Sequence, residues 1–450
     1  MSHLSVAKFG GTSVANYPAM QSCANIVIAD PNTRVVVLSA SAGITNLLVA
    51  LANGCEEAER NKLLNEVRQI QENILTALKD DSRVRPKIEA LLANITSLAE
   101  AANLATSLAL TDELISHGEM MSSLIFVEVL RELQIEATWL DVRTIVATNS
   151  HFGKAAPNDE QTRQNCNNVL KPLIECGELV ITQGFIGRDE QGKTTTLGRG
   201  GSDYSAALLA EVLNAQDVLI WTDVAGIYTT DPRIVSNAQR IDTMSFSEAA
   251  EMATFGAKVL HPATLLPAVR SNIPVYVGSS KAPQDGGTWV TRNPQPRPTF
   301  RAIALRRDQT LLTLSSLNML YAQGFLANIF TILAKHKISV DTITTSEVSV
   351  ALTLDKMGSA ASGNSLLSQE LIEELSQFCT VKVDTGLSLV ALIGNELHTA
   401  SGVAKRIFET LDAYNIRMIS YGASTNNICL LADSDKADDI VCSLHRSLFE

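Results

Sequence analysis

The sequence contains little cysteine: seven of its 450 residues, scattered from Cys23 to Cys442. No two of them form a C-x-x-C pair, and their number is odd. This pattern argues against a disulfide framework and against a zinc site. Scattered thiols are typical of a reducing compartment, so we expect a cytoplasmic protein.

Positive charge is also scarce, since 36 Lys and Arg residues stand against 48 Asp and Glu residues, for a formal net charge of −12. A nucleic-acid partner would require a basic surface that neutralises its phosphates. The composition therefore predicts no nucleic-acid partner. A few local Lys or Arg side chains are still sufficient to hold a small phosphate ligand.

Long apolar segments are missing as well. Residues 35–55 carry no charge and would be long enough to span a bilayer, but five Ser, Thr, Asn and Gly residues between 39 and 46 interrupt them. We interpret this stretch as a buried strand, a polar turn and an apolar helix, and we expect no membrane association. The N-terminal residues lack a basic region followed by an apolar one, so no signal peptide is expected.

What the sequence does contain is an alternation of short β-rich runs and helical patterns. Strands are predicted at residues 4–9, 35–38, 137–140, 179–182 and 218–222. The run at 35–38 has no polar alternation, as is typical of a parallel sheet that is covered on both faces. The predicted class is α/β, with a mainly parallel sheet between helices.

A different organisation follows residues 292–298, whose three prolines predict a linker. Residues 324–355 and 402–433 align without gaps at an offset of 78, with eight identical positions. Each copy has the pattern of a strand, a helix that follows a glycine, and two further strands. This repeat predicts two small βαββ modules that pair side by side.

Three loops combine glycine with hydroxyl side chains. Residues 8–13 (KFGGTS) and 39–46 (SASAGITN) follow predicted strands, and residues 198–203 (GRGGSD) precede a predicted helix. Adjacent glycines let backbone N–H groups approach an anion, and a helix N-terminus favours negative charge. Open α/β sheets bind ligands at the carboxyl ends of their strands, so the three loops together predict an anion-binding site. Taken singly, the first loop is equally compatible with an ordinary turn.

Residues 187–194 (GRDEQGKT) match the P-loop pattern, but their context differs from that of a P-loop. A P-loop must open a helix that binds phosphate at its N-terminus, whereas three threonines and then glycines follow here. Asp189 and Glu190 would also repel a phosphate. We interpret the segment as a charged hairpin turn.

Six motifs in one order carry a resemblance to a known family. They are KFGGTS at 8–13, SASAGITN at 39–46, GE at 118–119, GRGGSD at 198–203, TDVAGIYTTDPR at 222–233 and FGAKVLHP at 255–262. The chain resembles the aspartokinases of the amino-acid kinase superfamily along its whole length, and its repeat resembles their paired ACT modules. The resemblance implies a catalytic domain at 1–291, a linker at 292–298 and ACT modules at 299–385 and 386–450. Residues 299–307 could instead belong to the second of these modules.

That resemblance implies phosphorylation of the aspartate side-chain carboxylate by ATP with Mg²⁺, the first step toward lysine, threonine and methionine. Lys8 would stabilise the moving phosphoryl group, and Asp203 would orient Lys8. Arg199 would bind the α-carboxylate of aspartate, and Glu119 its ammonium group. The other implied substrate-binding residues are Thr45, Gly200, Gly201 and Ser202. The implied ATP-binding residues are Lys8, Gly10, Gly11, Thr222, Asp223, Tyr228, Arg233 and Lys258. The motifs assign no magnesium ligands.

The repeat most resembles that of the monofunctional, lysine-inhibited aspartokinases. Asp341 and Glu347 could accept an ammonium group of lysine, and the helix start after Gly324 could bind its carboxylate. The second copy has Ile419 and Thr425 at the two acidic positions, so the effector is expected on the first copy. The implied lysine-binding residues are Met319, Gly324, Phe325, Leu326, Val340, Asp341, Ser346 and Glu347. ACT pairing further implies a homodimer or a dimer of dimers.

Three other interpretations remain open on the sequence. A glutamate kinase of the same superfamily would share the TDVAGIYTTDPR motif. A non-catalytic amino-acid sensor would use the repeats alone, although Lys8, Arg199 and Asp203 would then have no purpose. A P-loop NTPase would act through Lys193.

Overall fold

The computed structural model describes residues 3–256, 260, 265–319, 323–355 and 367–450. They divide into two compact units. The first contains the described residues of Met1–Ile227, Arg240–Ala250 and Lys258–Gln295, and the second those of Tyr228–Gln239, Glu251–Ala257 and Pro296–Glu450. No helix in the described parts of the chain is long and apolar enough to cross a membrane.

The strands of the first unit are β1 (Ser5–Phe9), β2 (Thr33–Leu38), β3 (Thr138–Trp139), β4 (Val180–Gln183), β5 (Ile186–Arg188), β6 (Thr194–Thr196), β7 (Asp217–Thr222), β8 (Thr243–Ser245), β9 (Val275–Ser279) and β10 (Gly287–Thr291). The helices that begin in it are α1 (Tyr17–Ala29), α2 (Ile44–Ala52), α3 (Glu57–Leu75), α4 (Arg85–Leu104), α5 (Leu108–Glu132), α6 (Asp159–Glu175), α7 (Gly201–Leu213), α8 (Phe246–Thr254) and α9 (Leu266–Ser271).

The main sheet of this unit has the strand order β3-β4-β2-β1-β7-β9-β10-β8. Its pairs are parallel except for β9 with β10. All five residues of β1 are buried, as expected for a strand that is covered on both faces. Because β1, β2 and β7 are parallel neighbours, the loops that follow them leave from the same edge of the sheet.

Helix α5 is the most deeply buried helix among those described. Ser107 caps it by accepting the N–H of Leu110, and residues 114–130 are all buried. It contacts α2, α4 and α1 as well as strands β4 and β6. Polar residues on such a helix must find partners inside the protein, and two of them shape the site described below.

The P-loop look-alike is a hairpin. Strands β5 and β6 pair antiparallel, from Ile186 with Thr196 to Arg188 with Thr194. In the turn, the Asp189 carboxylate accepts the N–H groups of Gln191 and Lys193 at 3.0 and 2.8 Å. Burial favours a higher pKa for Asp189, but these bonds and one from the Ser150 hydroxyl hold the pKa below its usual value. A carboxylate occupies the position where a P-loop would hold phosphate, so the hairpin interpretation is confirmed.

The second unit contains strands β11 (Phe300–Ser315), β12 (Ser339–Thr345), β13 (Ser349–Asp355), β14 (Thr380–Gly394), β15 (Ile416–Tyr421) and β16 (Asn427–Asp433). Its helices are α10 (Phe325–Lys335), α11 (Gln369–Ser376), α12 (Val403–Thr410) and α13 (Ala437–Phe449). The strand order is β12-β13-β11-β14-β16-β15, with all pairs antiparallel.

Strands β11 and β14 each contribute to two hydrophobic cores. Phe300 and Ile303 of β11 pack in one core with Leu392 and the buried faces of α12 and α13. Leu312 and Leu314 of the same strand pack in another core with α10 and α11. The two copies of the repeat are therefore joined by continuous strands, and residues 228–239 also lie against the first of these cores through Val235.

Candidate active site

Lys8 and Asp203 form an ion pair at the carboxyl end of β1. The Lys8 Nζ lies 2.6 Å from the Asp203 Oδ1, and the two side chains are only 11% and 13% exposed. Asp203 stands in the first turn of α7, which begins after Gly200 in a left-handed conformation. Two motifs 195 residues apart in the chain thus place a lysine ammonium and a carboxylate at one point, where water is largely excluded.

The first loop requires glycine because another loop lies against it. A Cβ on Gly11 would stand 2.8 Å from the Ala40 carbonyl oxygen, and the Gly11 carbonyl accepts the N–H of Ala42 at 3.0 Å. The N–H of Gly10 donates to the Trp221 carbonyl oxygen at the end of β7. The KFGGTS and SASAGITN loops are therefore in direct contact, as their positions in the sequence predicted.

Helix α5 holds the SASAGITN loop from the other side. A Cβ on Gly118 would be 2.8 Å from the Cβ of Ala40, so only glycine permits this approach. The next residue, Glu119, accepts the N–H of Ala40 at 3.2 Å, and Ser122 donates to the Ser39 carbonyl oxygen at 2.8 Å. The GE dipeptide thus combines a close helix–loop contact with a carboxylate beside the loop.

The Glu119 carboxyl group is buried in an environment that disfavours its charge. Burial raises its pKa to about 8, against the opposing effect of the Ala40 N–H. Its Oε2 has no hydrogen-bond partner among the described residues, and neither has the neighbouring hydroxyl of Ser41. A cation that arrives beside Oε2 would satisfy this acceptor and favour the ionised form.

The GRGGSD loop is shaped by glycines in the left-handed region. Gly198 and Gly200 have φ angles of 78° and 72°, which side chains rarely adopt. Ser202 is buried so tightly that a Cβ on Gly184 would come within 2.6 Å of its Cα. Arg199 is exposed. Its guanidinium is therefore available to a ligand.

Asp112 is a positioning residue that the sequence reasoning missed. Its buried carboxylate accepts the N–H and hydroxyl of Thr196, both at 2.8 Å, and the N–H of Gly153 at 2.9 Å. Burial raises its pKa, and these bonds oppose the rise. Thr196 ends β6 just before the GRGGSD loop, so α5 anchors that loop too. The seven-residue spacing to Glu119 is the available signal, since it places both acids on one helix face.

The predicted nucleotide residues are found in several places. Thr222 ends β7, and its hydroxyl donates to Asp223 at 3.2 Å. Arg233 binds Asp231 through two guanidinium nitrogens at 2.9 and 2.6 Å, and this pairing lowers the pKa of Asp231. Of the other predicted nucleotide residues, Tyr228 belongs, like Arg233, to the second unit, and Lys258 lies outside the described residues. Thr45, which was predicted to bind the substrate, is the half-buried second residue of α2.

The predicted effector residues lie in the second unit. Gly324 precedes α10 with a φ of 84°, followed by Phe325 and Leu326. Asp341 sits where the register of β12 with β13 shifts, and its carboxylate lies 2.9 Å from the Arg306 guanidinium. Glu347 and Ser346 are exposed, whereas Val340 and Met319 are half-buried. The arginine partner of Asp341 was not anticipated from the sequence.

Comparison with known proteins agrees with this architecture. The amino acid kinase family model matches residues 3–279, and an ACT domain model matches residues 390–448. The lysine-sensitive aspartokinase 3 of Escherichia coli is 62% identical over 450 residues, with both chains covered completely. The chain therefore belongs to the aspartokinase family, and the predicted α/β class with ACT modules is confirmed.

Two solved structures are similar over the whole of both chains. One is E. coli aspartokinase III in complex with aspartate and ADP, described as the R-state, with a TM-score of 0.90 and 61% identity. The other is the same E. coli enzyme with lysine and aspartate, described as the T-state, with a TM-score of 0.87.

The raised pKa of Glu119 leads to a prediction about stability. Since the folded-state pKa lies above the unfolded one, the wild type loses stability as pH rises from the unfolded pKa toward about 8. The free energy of unfolding of the ligand-free wild type should fall relative to that of Glu119→Gln by about 3 kcal/mol between about pH 5.5 and about pH 8. Denaturant titration at both pH values measures this difference.

Glu128→Gln on the same helix is the matched control, because the Glu128 carboxylate pairs with Arg131. The free energy of unfolding of Glu128→Gln, taken relative to that of the wild type, should change much less over this pH interval. The account would be contradicted if the free energies of unfolding of Glu119→Gln and of the wild type changed by the same amount between the two pH values.

Proposed function

We infer that this protein is an aspartate kinase, which transfers the γ-phosphoryl group of ATP to the side-chain carboxylate of L-aspartate and forms 4-phospho-L-aspartate. The observation that carries this function is the sequestered Lys8–Asp203 pair, set where the three glycine-bearing loops converge. The full-length similarity to a lysine-sensitive aspartokinase supports the same conclusion.

The chemistry requires little covalent participation by the protein. The substrate carboxylate is itself the nucleophile, so the site must align two anions and reduce their repulsion. The Lys8 ammonium supplies a positive charge at the moving phosphoryl group, and the Asp203 carboxylate fixes the position of that ammonium. A preorganised charge in a largely water-excluded site stabilises the developing negative charge without further rearrangement.

Recognition of the amino acid is assigned to the groups around this pair. Glu119 pairs with the ammonium group of aspartate, which satisfies its unpartnered Oε2. Arg199 provides a planar fork for the α-carboxylate. The remaining contacts are assigned to Thr45, Gly200, Gly201 and Ser202.

ATP is the phosphoryl donor, and its binding is assigned to Gly10, Gly11, Thr222, Asp223, Tyr228, Arg233 and Lys258. Mg²⁺ is proposed to enter with the nucleotide, on which it neutralises phosphate charge. This ion favours phosphate oxygens and waters over all-protein cages. Among the described residues no group of three or more His, Cys, Asp or Glu side chains is arranged to hold a metal ion.

Lysine is the proposed feedback inhibitor, bound at the first copy of the repeat. Asp341 would accept an ammonium group of lysine, with Glu347 close to it in sequence, and the N-terminus of α10 would receive the carboxylate. Met319, Phe325, Leu326, Val340 and Ser346 complete the proposed site. Pairing of the ACT modules between two chains is proposed to give a homodimer or a dimer of dimers.

Trapping the product with hydroxylamine tests the proposed reaction. With ATP and magnesium present, aspartate should give the hydroxamate of its acyl phosphate, and glutamate should give little or none. A colorimetric assay of the hydroxamate measures both. Equal product from glutamate would favour a glutamate kinase, and no product from either would contradict the proposed function.

Inhibition by lysine tests the proposed effector site. At saturating substrates, millimolar lysine should lower the rate of the wild type. In Asp341→Asn the half-inhibitory concentration should rise by at least about tenfold, because a charge-assisted hydrogen bond is weakened.

The control for this effect is Asp384→Asn in β14, where the carboxylate pairs with Lys382 and Arg417. This variant should remain as sensitive to lysine as the wild type. A wild-type rate that does not respond to lysine would refute the regulatory assignment.

A further inference from the structure

His445 is a buried histidine that the proposed reaction does not use. It lies on α13 with no solvent exposure, and its ring stacks on that of Phe449 with 5.0 Å between the centroids. Its Nε2 is 2.9 Å from the Thr229 hydroxyl, and its Nδ1 is 3.4 Å from the Glu450 carboxylate. Both ring nitrogens are thus engaged inside the second unit.

Thr229 is held by more than this one bond. Its N–H donates to the Gln239 carbonyl oxygen at 2.8 Å, and its own carbonyl accepts the N–H of Ile303 at 2.7 Å. Its hydroxyl also accepts the N–H of Gln239 at 3.0 Å. Every polar atom of Thr229 therefore has a partner, and the imidazole of His445 is its only side-chain partner among the described residues.

Thr229 lies in the segment that carries two of the proposed nucleotide-binding residues. It directly follows Tyr228 and precedes Arg233, both of which we assign to the nucleotide. The whole segment Tyr228–Gln239 packs in the compact unit formed by the repeats. Near its far end Asn237 donates to the Glu450 carboxylate at 2.6 Å, which is the same carboxylate that faces His445.

We propose that His445 is a positioning residue for ATP: through its hydrogen bond to Thr229, the C-terminal helix α13 fixes the conformation of the segment that carries Tyr228 and Arg233. The proposal rests on the proposed function, because it assumes that this segment binds the nucleotide. It assigns a part in nucleotide binding to the helix that follows the second copy of the repeat.

The test compares steady-state kinetics of full-length variants. His445→Phe keeps the stacked ring but removes the hydrogen bond, so the KM for ATP should rise by about three- to tenfold while the KM for aspartate stays unchanged. His445→Gln, which retains a donor and an acceptor, should recover part of the loss. Thr229→Val should raise the KM for ATP in the same way, and Thr229→Ser should not.

Tyr414→Phe provides the matched control. It removes a hydrogen bond of 3.1 Å to Ser443 on the same helix but none to residues 228–239. Its KM for ATP should equal that of the wild type.

Two results would overturn the proposal: equal changes in both KM values, or an unchanged KM for ATP in a variant with native thermal unfolding. If His445→Phe fails to fold, the comparison of Thr229→Val with Thr229→Ser decides in its place. A wild type that forms no acyl phosphate from aspartate would refute the proposed function instead, so the two failures are distinguishable.

Discussion

The ion pair between Lys8 and Asp203 is the interaction around which the catalytic unit is organised. An ammonium and a carboxylate that are both removed from water are costly unless each has the other as a partner. The pair therefore depends on the placement of β1 at the centre of the sheet and of α7 beside it, and on the glycines that let both loops approach. At a distance of 2.6 Å it leaves the ammonium fixed in place before any substrate arrives.

Helix α5 is the second element on which the site depends. Asp112 holds the strand that leads to the GRGGSD loop, and two turns later Gly118 and Glu119 hold the SASAGITN loop. One buried helix thus fixes two of the three loops. Its two acids have different environments: Asp112 accepts hydrogen bonds from three protein groups, whereas Glu119 retains one unpartnered oxygen. The Asp112 carboxylate is therefore suited to anchoring a loop, and the Glu119 carboxylate is suited to binding a cation.

Much of this architecture was predictable from the sequence because it is encoded locally. Apolar runs and glycine loops located the central strands and their ends, and the repeat located the two βαββ modules. The threonines after Lys193 excluded a P-loop. The Asp341–Arg306 pair and the bond between His445 and Thr229 were not predictable, since each joins residues far apart in the chain and leaves no periodic pattern. For Asp112 the sequence offers only the seven-residue spacing to Glu119, because its partners Gly153 and Thr196 are distant in the chain. The sharing of β11 and β14 by two cores is likewise a property of the long-range pairing.

A double-mutant cycle on Lys8 and Asp203 tests the central claim most directly. Lys8→Met and Asp203→Asn should each lower kcat by on the order of a hundredfold. The double variant should be about as slow as the slower single variant, because the two groups act as a unit. Lys193→Met, in the hairpin turn, should leave kcat unchanged. Losses that simply multiply in the double variant, or a comparable loss in Lys193→Met, would contradict the account.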